Sequence, residues 1–235
     1  MNKNKKILNL VVAFIFIFAL SGCSLTTDAQ KILSLKDGVT SINDKKFDKV
    51  LKRKRDKQNN LKKEEKWTLL FMVEEEKMIR DLSYKFYQEY NEGVFEDIYK
   101  AENTHYKVVQ KFIRDYNLDD PTSKKGVGEF HNPQIQMIHD DLLEQGMENK
   151  TEAYKALVNA LERDVNDLNE NIEKTNKDGI LFAYRNLRRS SKNHIRVLMD
   201  IVRKKGEKYE PQYLSEAKFN SIKNSSIDSG GWWPF

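Results

Sequence analysis

The chain carries four long stretches in which apolar residues recur every three to four positions, the spacing of one face of an α-helix. Charged residues fill most of the positions between them. The short link Asn91-Glu92-Gly93 separates the first two stretches, so the first two helices are expected to run antiparallel. The four apolar sets, in chain order, are Leu69, Met72, Ile79, Leu82, Phe86 and Tyr90; Phe95, Ile98, Ala101, Val108, Val109 and Phe112; Tyr154, Leu157, Val158, Leu161, Val165 and Leu168; and Ile180, Phe182, Tyr184, Leu187, Ile195, Leu198 and Val202.

A shorter helix is predicted between the second and third long ones. Asn132-Pro133 is a favourable start, because Asn accepts from the first free amide groups and Pro is preorganised for the first helical position. Apolar residues follow from Ile135, and Gly146 is expected to end the element. The pattern therefore predicts an all-α protein, a four-helix bundle with a short crossover helix between helices two and three.

The first two long helices carry ligand-type side chains on or beside their apolar faces. Glu102 and His105 lie three residues apart on the second helix, so they stand one above the other on its apolar stripe. Glu75 and Glu76 lie at the two borders of the stripe of the first helix. One of these two acids is therefore expected to face the core.

The other two long helices add Glu162 and His194, which also lie within apolar stripes. A carboxylate or an imidazole in a helical core is costly unless it is paired, protonated or bound to a metal. Glu-x-x-His is the spacing with which helical bundles supply two ligands to one metal ion. Two interpretations follow: the side chains bind a metal, or they satisfy one another in a buried polar network.

The amino-acid composition and the net charge argue against some classes of function. Charged residues make up 33% of the chain and only four prolines interrupt it, a profile typical of solvated helical domains. The formal net charge is +5, but Lys3, Lys5 and Lys6 lie in a segment that is expected to be removed, which leaves about +2. Nucleic acid is therefore not an expected partner. The single cysteine, Cys23, excludes an internal disulfide framework and multi-cysteine metal sites.

Residues 1–22 have the organisation of an export signal. Lysines precede an apolar run from Ile7 to Leu20, which is short for a membrane span. Leu20-Ser21-Gly22-Cys23 resembles the lipobox of bacterial exported lipoproteins at all four positions. The resemblance implies lipidation of the Cys23 sulfur, cleavage before it, and anchoring at the extracytoplasmic face of the cell membrane. The alternative is an ordinary secretory signal with a chance cysteine.

The segments that flank the helical region are expected to be accessory. Residues 23–62 are first polar and then strongly basic, so they are predicted to form a lipid-anchored tether and a basic stem. The basic run 46–66 is expected to be a solvated helix or linker, or alternatively to contact anionic lipid headgroups. The predicted bundle spans 63–206, and 207–235 form a C-terminal tail that ends in Trp-Trp-Pro-Phe.

Five motifs in the helical region carry a family resemblance. They are Met72-Val-Glu-Glu-Glu-Lys-Met-Ile-Arg-Asp, Ala101-Glu-Asn-Thr-His, Phe130-His-Asn-Pro-Gln, Leu161-Glu-Arg-Asp-Val and Ser190-Ser-Lys-Asn-His-Ile-Arg. Through them, residues 66–205 resemble a ferritin-like domain, and more closely a bacterial family of uncharacterised ferritin-like domains. The resemblance implies a four-helix bundle that can hold iron or another transition metal.

The resemblance also ranks the ligands. In ferritin-like domains, the ligand Glu of the first helix is followed three positions later by a small or apolar residue, which favours Glu76 over Glu75. Ser191 stands where a second carboxylate would precede His194, which implies one metal site or an asymmetric pair. The expected metal ligands are Glu76, Glu102, His105, Glu162 and His194, with Glu75 as the alternative to Glu76.

Oxygen donors combined with two imidazoles suit iron, manganese or zinc. We therefore expect a membrane-anchored metal protein whose activity is iron oxidation, peroxide reduction or metal handling. The alternative is a metal-free structural or interaction module displayed on the cell surface. The sequence has no glycine-rich phosphate loop and no nucleophile elbow, so a nucleotide-dependent or hydrolytic enzyme has no support.

Overall fold

The structure, a computed structural model, describes residues 32–54 and 60–228. The predicted signal peptide, Cys23 and the Trp-Trp-Pro-Phe end lie outside these residues. No helix within the two described ranges is long and apolar enough to span a membrane. The elements in chain order are β1 (Leu33–Lys36), β2 (Val39–Ile42), α1 (Asp44–Lys54), α2 (Lys63–Tyr90), α3 (Gly93–Asp115), α4 (Pro133–Glu148), α5 (Lys150–Lys174), α6 (Asp178–Lys204) and α7 (Glu216–Lys223).

The molecule is predominantly helical, as the hydrophobic pattern predicts. The four long helices α2, α3, α5 and α6 contain most of the core, and the shorter α4 lies between α3 and α5 in the chain. Helix α2 packs along α3, and α5 packs along α6. Contacts of α2 with α5, and of α3 with α6, join the two pairs around a common interior.

Helix α4 begins where the sequence predicts but continues past its predicted end. The side chain of Asn132 accepts a hydrogen bond from the amide of Gln134, and Pro133 occupies the first turn. Gly146 lies inside the helix and does not end it. A Cβ at Gly146 would lie 2.1 Å from Cζ of Phe86, so this glycine is needed for the close approach of α4 to α2.

The buried apolar side chains form two clusters along the long helices. On α2, Val73 belongs to one cluster and Met78 to the other, and the four residues between them are all charged types that are buried. On α3, Ala101 belongs to one apolar cluster and Val108 to the other, and Glu102 and His105 lie buried between them. A layer of buried polar side chains therefore crosses the middle of the long helices.

Part of the segment that was expected to be a tether is folded, because β2 packs on α3 and α6. A helix was one of the two forms expected for the basic run, and α1 forms there and packs on α6. Asp37 and Gly38 adopt positive φ angles of 49° and 86°, which is the backbone of a two-residue hairpin turn. Thr40 of β2 and Phe47 of α1 are buried. The hairpin therefore covers part of the polar layer.

Part of the predicted tail also belongs to the folded body. Helix α7 packs on α6 and buries Phe219 and Ile222. The segment between the two helices is held as well, since Leu214 is buried. The folded region therefore continues to the end of the described residues rather than ending at 206.

Candidate metal centre

Three ligand-type side chains of α2 and α3 meet in the buried polar layer. The ligand atoms of Glu76, Glu102 and His105 all lie within 4.8 Å of one another. His105 Nδ1 is 2.7 Å from Oε2 of Glu102 and 3.5 Å from Oε2 of Glu76. All three side chains are fully buried. This group, called the Glu–His cluster below, could hold a metal ion.

His194 of α6 reaches the same cluster. Its Nδ1 lies 2.7 Å from Oε1 of Glu102, so each oxygen of Glu102 contacts one imidazole. The rings of His105 and His194 are nearly parallel, with centroids 5.7 Å apart and an interplanar angle of 11°. Glu102 therefore connects two imidazoles contributed by two different helices.

Several buried atoms of the polar layer have no hydrogen-bond partner among the described residues. They are both carboxylate oxygens of Glu76, both carboxylate oxygens of Asp164, and Nε2 of His105, together with both carboxylate oxygens of the adjacent Glu75. Asp164 lies on α5, is fully buried, and interacts electrostatically with Glu76 and Glu102. Buried oxygens without partners are costly, and native proteins seldom leave them unsatisfied. A cation bound among them would satisfy these atoms, so the donor set fits a metal.

Glu162, a predicted ligand, is engaged elsewhere. Its Oε2 accepts from the hydroxyl of Tyr209 at 2.7 Å and the amide of Gln212 at 3.0 Å. Its Oε1 accepts from the amides of Tyr213 at 2.8 Å and Leu214 at 2.7 Å. Four donors from the segment between α6 and α7 occupy this carboxylate, so the structure does not bring it to the cluster.

Asp164 is the acid of α5 that interacts electrostatically with Glu76 and Glu102, and it is not among the ligands predicted from the sequence. Residues two apart on a helix point about 200° away from each other, so Glu162 and Asp164 cannot share a direction. A usable signal was present, because Asp164 continues the series Leu157, Leu161 and Leu168 at steps of four, three and four residues.

Glu75 faces different neighbours from Glu76. Its Oε1 lies 3.8 Å from Nε of Arg163. Burial, followed by repulsion from Asp167, raises the pKa of Glu75 well above the usual range of a carboxyl group. Of the two adjacent acids, the structure joins Glu76 to His105.

Burial and pairing set the protonation of the Glu–His cluster. Burial raises the pKa of Glu76 to about 7, although His105 opposes the shift. Burial acts to lower the pKa of His105, but its contacts with Glu102 and Glu76 outweigh this effect and raise the pKa to about 10. Burial acts to raise the pKa of Glu102, but the two histidines hold it well below its usual range. In the absence of a metal, an imidazolium at His105 therefore faces a carboxylate at Glu102 at neutral pH.

Asp164 belongs to the same electrostatic system. Burial, and then repulsion from Glu76, raises the pKa of Asp164 well above its usual range. A divalent cation would reverse this, because it stabilises the ionised form of each oxygen ligand. Carboxylates with an imidazole form a donor set that iron, manganese and zinc accept.

Comparison with known proteins finds relatives without an assigned function. The uncharacterized protein MJ0754 of Methanocaldococcus jannaschii is 33% identical over 170 residues, which cover 72% of this chain and 92% of that protein. The crystal structure of the hypothetical protein MJ0754 matches with a TM-score of 0.71, and the match covers 74% of this chain and 98% of that one. Residues 64–226 match the model of the uncharacterized protein domain DUF2202. The chain therefore belongs to the DUF2202 family.

Proposed function

We propose that this chain is a lipid-anchored, extracytoplasmic metal protein of ferritin-like architecture, which binds a transition metal at the Glu–His cluster. Four long helices with a short helix between the second and third are consistent with that architecture. The sequence motifs that resemble ferritin-like domains include Glu76, Glu102, His105, Asp164 and His194. Iron, manganese and zinc are the metals whose preferences match these donors.

One observation supports the proposal most directly, namely the buried ligand-type atoms of the polar layer that lack hydrogen-bond partners among the described residues. Five buried atoms of Glu76, Asp164 and His105 lack hydrogen-bond partners among the described residues. A polar network that had evolved only to satisfy itself would pair these atoms. The cluster instead leaves oxygen atoms from two helices available around an imidazole, which is the arrangement that a metal ion requires.

The side chains have separable roles in this proposal. Glu76 and His105 supply ligands from α2 and α3, Asp164 supplies a carboxylate from α5, and Glu102 lies between the two histidines. Ser191 has its hydroxyl turned to the carbonyl of Leu187 at 3.1 Å, which favours an asymmetric centre. Bound iron or manganese would supply redox chemistry toward dioxygen or peroxide, and bound zinc would supply Lewis acidity. The complete burial of the ligands would exclude bulk water.

The experiment that tests the proposal is elemental analysis after loading with Fe(II), Mn(II) or Zn(II) without chelators. We expect about one or two ions per chain in the unmodified protein, as in helical carboxylate centres. The double variant Glu102→Gln/His105→Asn is expected to retain none, because it removes both the carboxylate between the histidines and one imidazole.

A matched control removes a histidine–carboxylate pair outside the cluster. His139 Nδ1 lies 2.9 Å from Oδ1 of Asp140 on α4. The variant His139→Asn/Asp140→Asn is expected to keep the metal content of the unmodified chain. Equal metal content in all three proteins, or none in any of them, would contradict the proposal. The second outcome would favour a metal-free interaction module with a polar core.

The membrane anchor is proposed from the lipobox resemblance around Cys23. Replacement Cys23→Ala removes the only thiol in the chain, and therefore the only group that could take the thioether-linked lipid. We expect the variant to lose labelling by a radioactive fatty acid and to keep its uncleaved N-terminal segment. Labelling of Cys23→Ala at the unmodified level would contradict the anchor.

A further inference from the structure

The hairpin brings a backbone group of β2 against the ring of His194. The carbonyl oxygen of Thr40 lies 2.8 Å from Nε2 of His194, and the amide nitrogen of Thr40 lies 3.3 Å from the same atom. Both residues are fully buried. His194 therefore contacts Glu102 with one ring nitrogen and Thr40 with the other.

These distances determine which ring nitrogen holds the proton. A carbonyl oxygen can only accept, so the 2.8 Å contact requires a hydrogen on Nε2. The alternative, in which the amide of Thr40 donates to an unprotonated Nε2, would use the longer 3.3 Å contact and leave the carbonyl against a lone pair. The shorter contact therefore favours the ring with its proton on Nε2.

With a hydrogen on Nε2, Nδ1 is the ring nitrogen that remains to coordinate a metal. Nδ1 lies 2.7 Å from Oε1 of Glu102, a carboxylate oxygen that can only accept, so a metal bound at Nδ1 would take the place of the hydrogen in that contact. Histidines that bind metals generally donate their other N–H to a carboxylate or a backbone carbonyl, which fixes the ring orientation and the tautomer. We propose that Thr40 is a positioning residue of the metal centre: its carbonyl holds His194 in the Nε2–H form and directs Nδ1 to the cluster. This inference rests on the proposed function.

Several independent contacts hold Thr40 in its position. Its Oγ1 lies 2.8 Å from Oγ of Ser190, and the Ser190 hydroxyl donates to the Thr40 carbonyl at 2.5 Å. The amide of Ile42 donates to Oγ1 of Thr104 on α3 at 3.2 Å. The strand is thus fixed to both α6 and α3, which supply the two imidazoles. Since the family match begins at residue 64, this positioning carbonyl comes from a segment that precedes it.

The direct test is nitrogen NMR of the intact chain in detergent micelles, labelled with ¹⁵N in its histidines. The chain has four histidines, and a His194→Gln variant identifies the resonance in question. With zinc bound, we expect Nε2 of His194 to carry a slowly exchanging proton and Nδ1 to carry none. The metal-free chain is expected to keep the protected proton on Nε2. An unprotonated Nε2 in either state would overturn the inference.

Zinc titration of the same sample separates this inference from the proposed function. If no zinc binds but Nε2 keeps its protected proton, the metal function fails and the Thr40 contact stands. If zinc binds and Nε2 is its ligand, the metal function stands and the positioning role fails.

A pair of hairpin variants tests whether the contact matters for binding. Thr40→Val keeps the shape of the side chain but removes the hydroxyl that contacts Ser190 and helps to hold β2 on α6. We expect proton exchange at Nε2 to become about tenfold faster and zinc affinity to fall by about tenfold, the lower end for a residue that orients a ligand. The control Lys36→Ala removes an exposed ion pair with Asp97 in the same hairpin and is expected to change neither by more than about twofold. Identical proton exchange and zinc affinity in the two variants would overturn the role of Thr40. If Thr40→Val does not fold, the inference is tested by the NMR spectrum of the unmodified chain alone.

Discussion

Replacing Glu76 by glutamine is expected to weaken metal binding by at least about 100-fold, whereas the same change at Glu75 is expected to leave affinity within about threefold. The two acids are adjacent on α2 and equally buried, but only Glu76 lies with Glu102 and His105. Glutamine keeps the size of the side chain and removes its charge, so Glu76→Gln deletes one anionic ligand with little change in packing.

Glu75→Gln is a closely matched control for this experiment. Burial raises the pKa of Glu75 well above the usual range, which favours the neutral carboxyl group, so an amide is a close substitute. Affinity is measured by competition with a chromophoric chelator, and folding is followed by circular dichroism. Loss of binding in Glu75→Gln but not in Glu76→Gln would show that the wrong acid has been assigned to the centre.

The metal-free protein is expected to lose stability as the pH rises from 5 to 9, by on the order of 6 kcal/mol. The pKa of Glu76 is raised from 4.5 to about 7, so between these values the folded chain keeps a proton that the unfolded chain has released. The pKa of His105 is raised from 6.5 to about 10, which has the same effect over a higher range. Where the folded state binds more protons, the free energy of unfolding falls with pH.

The pKa shifts of Glu102 and Asp164 do not reverse this loss of stability between pH 5 and 9. The depressed pKa of Glu102 stabilises the fold above about pH 4.5, and this contribution is complete before the pH reaches 5. The raised pKa of Asp164 adds to the loss at higher pH. A bound metal takes the place of these protons, so saturating metal is expected to remove the decline, since binding to the folded state alone stabilises it.

The measurement is urea unfolding at pH 5, 7 and 9, with a chelator and then with saturating zinc. Glu76→Gln has no proton to release, so its metal-free stability is expected to be flatter between pH 5 and 7 than that of the unmodified chain. A metal-free stability that is constant or rises from pH 5 to 9 would contradict the protonation pattern assigned to the cluster.

The parts of the site that could be predicted are those fixed by helical periodicity. Glu102 and His105 lie within one helical turn. The contact between their side chains therefore requires only that α3 is helical and buries its apolar face. His194 follows from the stripe of α6 in the same way, and its prediction as an inward-facing residue agrees with its complete burial. The four long helices and α4 were predictable for the same reason.

The parts that could not be predicted depend on contacts between distant segments or on narrow angular choices. Glu162 was expected to be a ligand because it lies within the stripe of α5, but the distant Tyr209 and the segment after it bind its carboxylate away from the cluster. Thr40 is 154 residues away from His194 in the chain. The Asp37-Gly38 turn signalled a hairpin, but two four-residue strands offer too little periodicity to reveal where they pack.

The hairpin also has a mechanical consequence. It is the first described part of the chain after residue 31, ahead of α1 and of all four long helices. Tension applied from the N-terminal side is therefore borne first by β1, β2 and the bonds between Thr40 and α6, before it reaches the helices. The 2.8 Å contact between the Thr40 carbonyl and His194 lies on this route, so a pull on the N-terminal segment would act on the ring of His194 before it acts on the long helices.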